Sequence, residues 1–247
     1  MTMLSDIRDG VMTITINRPE AGNSLNEAVG HALVEHFTRA ADDPEVRVVV
    51  ITGAGEKVFS AGMDLKAFAA GENIIVIGSG IDAIGKCPKP VIAAVNGAAL
   101  AGGFEVALKA DLIVAADHAR FGIPEVKRGL FAAGGGTRLP ARIPLQVALE
   151  MGLTGDPISA QRAYELGLVN RVVPAAEVMP TALALAATIA ANGPLALQAT
   201  KELMWAEIGA DTPERVGNWA GKVFGSEDAR EGATAFAEKR TPQWKGR

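Results

Sequence analysis

Apolar runs separated by turn residues divide the chain into short strands and helices. Five runs rich in Val, Ile, Leu and Ala are expected to be strands: Val11–Ile16, Val46–Ile51, Val91–Val95, Leu112–Ala116 and Leu168–Val173. The second half of the run at residues 46–51 is apolar on both faces, which is typical of a covered parallel sheet. The strand pattern therefore indicates an α/β fold with a buried sheet.

Helical spacing of apolar residues fills the intervals between these strands. Asn23–Ala41 predicts an amphipathic helix, and further helices are expected at Ile143–Met151 and at Ser159–Leu166, with Ser159 as cap and Gly167 as stop. The connection Gly71–Gly85 is either a lid or a helix. From Ala175 the pattern is helical almost to the end, with breaks at Gly193-Pro194 and Thr212-Pro213.

The pair Gly102-Gly103 lies between a predicted strand and a helix that carries Glu105. Two interpretations remain open. The glycines can let a ligand approach the free N–H groups of a helix start, which would bind an oxyanion. They can equally allow close packing of a helix on a strand. Glu105 itself can be an acid that interacts with the helix dipole.

A second glycine-rich turn follows the strand at residues 46–51. It reads Thr52-Gly-Ala-Gly55 and continues through Phe59 to Lys66. Asp64 can open a helix as its N-cap, or the turn can bind an anion. Another carboxylate, Glu125, closes the segment Phe121-Gly-Ile-Pro-Glu125, so two glutamates bracket the central strand–helix–strand unit.

Composition narrows the class of protein. The 247 residues are 49% apolar, carry a net charge of −4 and include one cysteine, Cys87. We therefore expect a folded protein with no internal disulfide and no nucleic-acid partner. The polar N-terminus and the lack of a long apolar run favour a cytoplasmic protein without membrane contact. Walker A, HExxH, GxSxG and GxGxxG motifs are absent.

Several segments together resemble the crotonase superfamily, and most closely the enoyl-CoA hydratases. They are Asn17–Pro19, Thr52-Gly53, Phe59–Lys66, Lys89–Gly97, Ala101–Glu105, Phe121–Glu125 and Phe236–Arg240. The resemblance implies a spiral of ββα units with a helical C-terminal trimerisation region, in the α/β class. We expect the core at residues 1–192, the helical region at 193–247, and a homotrimer or a dimer of trimers. Val216, Trp219, Val223 and Phe224 are apolar residues expected to help cover this interface, together with Trp205.

The resemblance also assigns the site residues. It places an oxyanion hole at the N–H groups of Met63 and Gly102, and the two catalytic carboxylates at Glu105 and Glu125. The coenzyme A (CoA) contacts fall on Glu20, Ala21, Ala61, Asp64, Leu65 and Lys66. Phe236 and Lys239 resemble the C-terminal contacts to CoA, from the same or a neighbouring subunit. The substrate is then an acyl-CoA thioester, with CoA as part of the substrate rather than a cofactor, and no metal is expected.

The implied reaction is hydration of a 2-trans-enoyl-CoA to a 3-hydroxyacyl-CoA. We expect Glu105 to activate water and Glu125 to protonate Cα. Isomerisation, another acyl-CoA reaction on the same oxyanion hole, and simple acyl-CoA binding remain alternatives. The chain departs from typical hydratases at Ala132-Ala133, where Pro-Gly is usual, and at Met63, which is bulkier than usual. The acyl group is expected between residues 71–85, where Asn73–Ile77 supplies apolar side chains, and residues 132–136.

Overall fold

The computed structural model describes residues 1–208, 222 and 226–247. The strands are β1 Met3–Arg8, β2 Val11–Ile16, β3 Val48–Gly53, β4 Val58–Ser60, β5 Val91–Val95, β6 Ala98–Leu100, β7 Leu112–Ala116, β8 Arg120–Gly122, β9 Ile158–Ser159 and β10 Arg171–Val173. The helices are α1 Glu27–Asp42, α2 Leu65–Ala69, α3 Ile74–Lys86, α4 Gly102–Lys109, α5 Leu145–Thr154, α6 Ala160–Glu165, α7 Val178–Ala190, α8 Pro194–Glu207 and α9 Glu227–Glu238. Short 3-10 helices lie at Pro19–Ala21, Pro124–Arg128, Gly136–Ala141 and Ala175–Glu177.

Two sheets form the core. The larger has the order β1-β2-β3-β5-β7-β10, with β1 antiparallel to β2 and the other neighbours parallel. The smaller has the order β4-β6-β8-β9, with only β9 antiparallel to its neighbour. All five residues of β5 are buried, as expected for a parallel strand covered on both faces.

The chain alternates between the two sheets. Each of β3, β5 and β7 in the large sheet is followed by β4, β6 or β8 in the small sheet, and then by helical structure. This repetition is the spiral of ββα units that the resemblance implied. Asn96 links two successive units, because its side chain donates to the carbonyl groups of Gly53 and Gly55.

Helix α3 packs against α1, so the stretch from Ile74 to Gly85 belongs to a packed helix and not to a lid. Two glycines allow the close approach. A Cβ on Gly30 would lie 2.7 Å from the carbonyl oxygen of Val76, and one on Gly80 would lie 2.7 Å from that of Gly30. Cβ atoms do not approach backbone oxygen this closely, so larger residues would force the two helices apart.

The C-terminal half agrees with the predicted helices in part. Ser159 caps α6 by accepting from Arg162 N–H at 3.1 Å, and the chain breaks between α7 and α8 at Gly193. Four of the residues expected at an interface, Val216, Trp219, Val223 and Phe224, lie outside the described residues. Trp205 is 36% exposed on α8.

One further property of the helices concerns their length. Within the described ranges no single helix is long and apolar enough to cross a membrane. The stretches Ala175–Ala190 and Pro194–Glu207 meet the length and composition criteria only as a pair bent by 110°. The first of them includes α7, which contacts β3, β5 and β7 of the large sheet.

Candidate active site

Two backbone N–H groups meet where β4 and β6 lead into α2 and α4. A Cβ built on Gly102 would lie 3.6 Å from Met63 N, and one built on Gly62 would lie 2.9 Å from Gly102 N. Gly102 is the first residue of α4, so its N–H has no acceptor within the helix. Among the described residues, neither Met63 N–H nor Gly102 N–H donates to a protein acceptor. The two groups are therefore neighbouring donors without a described protein acceptor, as the predicted oxyanion hole requires.

Each of these two turns contains a residue whose backbone has a positive φ. Gly62 has φ +89°, and Ala101, immediately before α4, has φ 50° and ψ −132°. A positive φ is costly for alanine, and such strain is found where function requires a fixed geometry. A bridge between Leu25 and Met63 fixes the first turn, because Leu25 N–H donates to Gly62 O and Asp64 N–H donates to Leu25 O.

The two glycines at the start of α4 have different roles. A Cβ on Gly103 would lie 2.2 Å from the carbonyl oxygen of Ser60, so this glycine is needed for close packing of α4 on β4. The Cβ position of Gly102 meets only the Leu25 side chain and the vicinity of Met63 N. The close-packing interpretation therefore holds for Gly103, and oxyanion binding at Gly102 stays a prediction.

Glu105 lies in the first turn of α4 and is 4% exposed. Its Oε1 accepts a hydrogen bond from Gly136 N–H at 2.9 Å. Burial raises the pKa of Glu105 above its ordinary value, although the N–H groups of the Gly134–Gly136 turn and the charge of Lys109 act in the opposite direction. Glu105 is thus a buried carboxylate whose ionised form is supported by backbone donors.

Glu125 lies in the 3-10 helix that follows β8. Its Oε2 is buried and has no hydrogen-bond partner among the described residues. Burial raises the pKa of Glu125 and the negative charge of Glu105 raises it further, although a hydrogen bond from its own backbone N–H acts in the opposite direction. The two carboxyl groups differ in their contacts, since Glu105 accepts from the Gly134–Gly136 turn and Glu125 has a buried oxygen with no partner among the described residues.

One pocket of about 410 Å³ is lined by Glu105 and Glu125 and also by Met63 and Gly102. Its lining residues are Ala61, Met63, Leu65, Phe68, Ile77, Gly78, Ile81, Ala101, Gly102, Glu105, Pro124, Glu125, Arg128, Leu130, Phe131, Ala133 and Gly134. Most of these side chains are apolar, and Arg128 is the one basic residue among them. The pocket is suited to a mainly apolar ligand with one polar reacting end.

Residues 6–247 match the sequence model of a family described as enoyl-CoA hydratase/isomerase. The chain belongs to the enoyl-CoA hydratase/isomerase family. The prediction of the crotonase superfamily and its fold is confirmed, and the chain is an enzyme for a crotonase-type acyl-CoA reaction.

Relatives within this family agree in length as well as in sequence. The carnitinyl-CoA dehydratase of Proteus mirabilis (strain HI4320) is 45% identical over 253 residues, which cover 97% of each chain. An enoyl-CoA hydratase crystal structure from Mycobacterium marinum is 50% identical with a TM-score of 0.93, and the match covers 100% of this chain and 99% of that one. A carnitinyl-CoA hydratase structure from Mycobacterium avium is 46% identical with a TM-score of 0.79, with the same coverage. Relatives of this kind indicate the hydro-lyase class.

The residues that are expected to contact CoA differ in their position relative to the pocket. Ala61 and Leu65 line the pocket, and Lys66 is exposed next to them. Glu20 and Ala21 lie in the 3-10 helix at Pro19–Ala21, outside the residues that line the pocket. The structure therefore brings only some of these positions to the pocket wall.

Asp64 has a structural role that the sequence indicated. Its Oδ1 accepts from the N–H groups of Lys66 and Ala67 and so caps α2. Its Oδ2 lies 3.0 Å from Arg18 Nη2. Burial alone would raise the pKa of Asp64, but the hydrogen bonds from Arg18 and Ala67 lower it below its ordinary value. The carboxylate links the turn Gly62–Asp64, called the proposed oxyanion turn below, to Arg18 and Ser24 ahead of α1. Arg18 was not anticipated in this role.

Lys239 is not among the described residues that line the pocket of its own chain, and the side chain of Phe236 lies outside the described part of the structure. Phe236 belongs to α9, and Lys239 follows that helix. The C-terminal segment contacts the chain just before β3, where the Arg47 side chain donates to Trp244 O. Among the described residues none beyond Gly134 lines the pocket.

The structure corrects two expectations about which residues line the pocket for the acyl group. Ile77 lines the pocket as expected, but Ile75, two residues earlier, is 73% exposed and does not. Ala133 lines the pocket, whereas Ala132 is buried beside Gly136 and faces a separate cavity of about 260 Å³. Alternate residues of a helix or a tight turn point in different directions, and a run of apolar letters does not reveal which ones face a ligand.

Proposed function

We propose that the protein hydrates a 2-trans-enoyl-CoA to a 3-hydroxyacyl-CoA. The observation that carries the proposal is the difference between Glu105 and Glu125 within one pocket. Glu105 accepts from Gly136 N–H, and Glu125 has a buried oxygen for which the described residues offer no hydrogen-bond partner. Two such groups can divide the roles of base and acid.

The proposed mechanism begins with the thioester oxygen between Met63 N–H and Gly102 N–H. Addition at Cβ moves negative charge onto that oxygen, and each N–H donor stabilises the resulting enolate by roughly 3–4 kcal/mol. Glu105 takes one proton from water as the water oxygen bonds to Cβ. Glu125 gives a proton to Cα. The product gains one hydroxyl at Cβ and one hydrogen at Cα, and the same groups run the reverse dehydration.

An apolar acyl group fits the pocket better than a charged one. The walls near the glutamates are formed by Ile77, Ile81, Leu130 and Phe131. Carnitinyl-CoA, named for the relative from Proteus, has a quaternary ammonium on its acyl group. Phe68 and Phe131 could contact such a cation, but Arg128 lines the same pocket and would repel it. We therefore place carnitinyl-CoA second.

Purified protein assayed spectrophotometrically with crotonyl-CoA, longer enoyl-CoAs and carnitinyl-CoA tests this proposal. We expect kcat/KM to be highest for an unbranched apolar enoyl-CoA. No hydration at any chain length would reject the hydratase proposal, and double-bond migration without hydration would favour an isomerase. Preference for carnitinyl-CoA would support the second candidate. Binding of acyl-CoA with no turnover of any substrate would indicate a binding protein.

A trimer or a dimer of trimers is part of the proposal. Leu145, Leu149 and Leu153 are exposed at four-residue intervals on α5, so one apolar face of that helix has no partner within the described chain. In this assembly Phe236 and Lys239 are proposed to contact CoA in a neighbouring subunit, which agrees with the absence of Lys239 from the described residues that line its own pocket. A monomeric mass by light scattering at micromolar concentration would reject this assembly.

A further inference from the structure

Lys109 lies one helical turn after Glu105 on α4, and both residues contact the Gly134–Gly136 turn. A Cβ on Gly134 would lie 2.6 Å from Glu105 Oε2, and one on Gly135 would lie 3.3 Å from Lys109 Cε. The turn of three glycines is therefore held between the carboxylate and the lysine stem. Residues four apart on a helix share one face, which explains how α4 supplies both contacts.

Asp82 on α3 fixes the far end of Lys109. Lys109 Nζ lies 2.7 Å from Asp82 Oδ1, and the lysine side chain is only 20% exposed. The lysine stem also passes Gly85 of α3, whose Cβ position lies 3.3 Å from Lys109 Cδ. A solvated cation in the last turn of a helix would need neither of these contacts.

We infer that Lys109, held by Asp82, is a positioning residue for the proposed hydration: it clamps the Gly134–Gly136 turn onto Glu105 and places a positive charge behind that carboxylate. The clamp matters because three successive glycines have little conformational preference of their own, and Gly135 has φ +138°. Gly136 N–H then stays aimed at Glu105 Oε1. The charge of Lys109 also lowers the pKa of Glu105 against the effect of burial.

Other charges face Lys109 from each neighbouring element. They line one cavity of about 820 Å³ and are Asp82 and Lys86 on α3, Arg138 in the 3-10 helix, and Arg142 after it. Glu105 is the acidic group on the α4 side. The electrostatic role can be tested by the sign of the charge that is removed. Lys109→Met and Asp82→Asn break the same ion pair, but the first removes a positive charge and the second a negative charge.

The inference rests on the proposed hydratase function, so the first measurement is the pH profile of kcat/KM for crotonyl-CoA. The acidic limb reports ionisation of Glu105 within the glutamate pair. In Lys109→Met we expect this limb to move to higher pH by on the order of half a unit, because a nearby cation is lost. In Asp82→Asn the limb should move to lower pH or stay in place. Lys109→Arg should restore the parent limb, and Lys86→Met, an exposed lysine of the same cavity, should leave it unchanged.

The second measurement needs no activity. Hydrogen exchange followed by mass spectrometry on a peptide covering residues 131–138 should be faster in both Lys109→Met and Asp82→Asn, and unchanged in Lys86→Met. An acidic limb that does not rise in Lys109→Met, or that rises in Asp82→Asn as well, would overturn the electrostatic role. Unchanged exchange in Lys109→Met would overturn the clamp. If the parent protein hydrates no enoyl-CoA, the proposed function fails, and the exchange measurement still decides the clamp.

Discussion

Gly136 N–H donates a 2.9 Å hydrogen bond to Oε1 of Glu105, and this contact distinguishes the two carboxylates of the pocket. Glu125 lacks such support on Oε2 and also experiences the negative charge of Glu105. Hydrogen bonds to an ionised carboxylate favour ionisation, whereas a like charge disfavours it. On these contacts we propose Glu105 as the base that accepts a proton from water and Glu125 as the acid.

Substitution of either glutamate should abolish turnover more than binding. In Glu105→Gln and Glu125→Gln we expect kcat for crotonyl-CoA hydration to fall by about 10²–10⁴-fold, since each variant lacks one proton-transfer group. The affinity for acyl-CoA, measured by isothermal titration calorimetry, should change little. Glu150→Gln, an exposed glutamate on α5, is the matched control and should behave as the parent. Full activity in either active-site variant would remove that glutamate from the mechanism.

Glu125 should reduce stability at neutral pH. Its pKa is raised in the folded state, so between the unfolded value of about 4.3 and that raised pKa the folded protein binds more protons than the unfolded chain. Stability therefore falls as pH rises through this window and levels off above it. Glu125→Gln should have a higher melting temperature than the parent at pH 8, with a smaller difference at pH 4.5, by scanning calorimetry. An equal or lower melting temperature at pH 8 would contradict the burial of an unpaired carboxylate.

Gly62 should be essential for the proposed oxyanion turn. A Cβ there would lie 2.6 Å from Ala101 Cβ and 2.9 Å from Gly102 N, and the residue has φ +89°. In Gly62→Ala we expect kcat to fall by about 10²–10³-fold, the usual effect of losing an oxyanion donor. Gly167→Ala is the control, because Gly167 also has positive φ, +77°, but its Cβ position is open. The Gly167→Ala variant should lose only about 1–2 kcal/mol of unfolding free energy and keep the parent kcat. Equal kcat values in the two variants would contradict a role of the Gly62 turn in binding the oxyanion.

Ile77 should help to set the acyl chain length. It is 7% exposed and lines the pocket, whereas Ile75 is exposed and does not. Ile77→Trp should shift the kcat/KM profile toward shorter enoyl-CoAs, and Ile77→Ala toward longer ones, while free CoA affinity stays unchanged. Ile75→Trp is the control and should keep the parent profile. A profile unchanged by both Ile77 variants would place the acyl group elsewhere.

The sequence predicted the buried elements of the large sheet well. The predicted bounds of Val11–Ile16, Val91–Val95 and Leu112–Ala116 are those observed. The residues of Val91–Val95 and Leu112–Ala116 are all apolar because both faces of the sheet are covered there, and this makes these strands easy to detect. Val11–Ile16 shows alternation instead, with Thr13 and Thr15 less buried than their neighbours. The three-residue strands β4, β6 and β8 were not predicted, since their pairing depends on contacts between distant turns. α1 begins at Glu27, four residues later than expected, because Asn23 has φ 53° and Asn26 is the N-cap.

Part of the predicted site is found in one pocket, while other predicted positions such as Glu20 and Ala21 lie outside the pocket lining. The resemblance named both glutamates and both N–H donors, and the structure brings all four to one pocket. The separate roles of Gly102 and Gly103 depend on distances between elements, which no local pattern contains. Lys109 was missed, although its place four residues after Glu105 on a predicted helix was a usable signal.

The central claim is that water is added across an enoyl-CoA double bond by the two glutamates acting on an enolate held by Met63 and Gly102. Incubation of the purified protein with crotonyl-CoA in ¹⁸O-enriched water, followed by mass spectrometry, tests this most directly. We predict a 3-hydroxyacyl-CoA product carrying one ¹⁸O atom, formed at least about 10²-fold more slowly by Glu105→Gln and by Glu125→Gln. A parent protein that transforms the substrate without incorporating ¹⁸O, or two variants that incorporate it at the parent rate, would contradict the account.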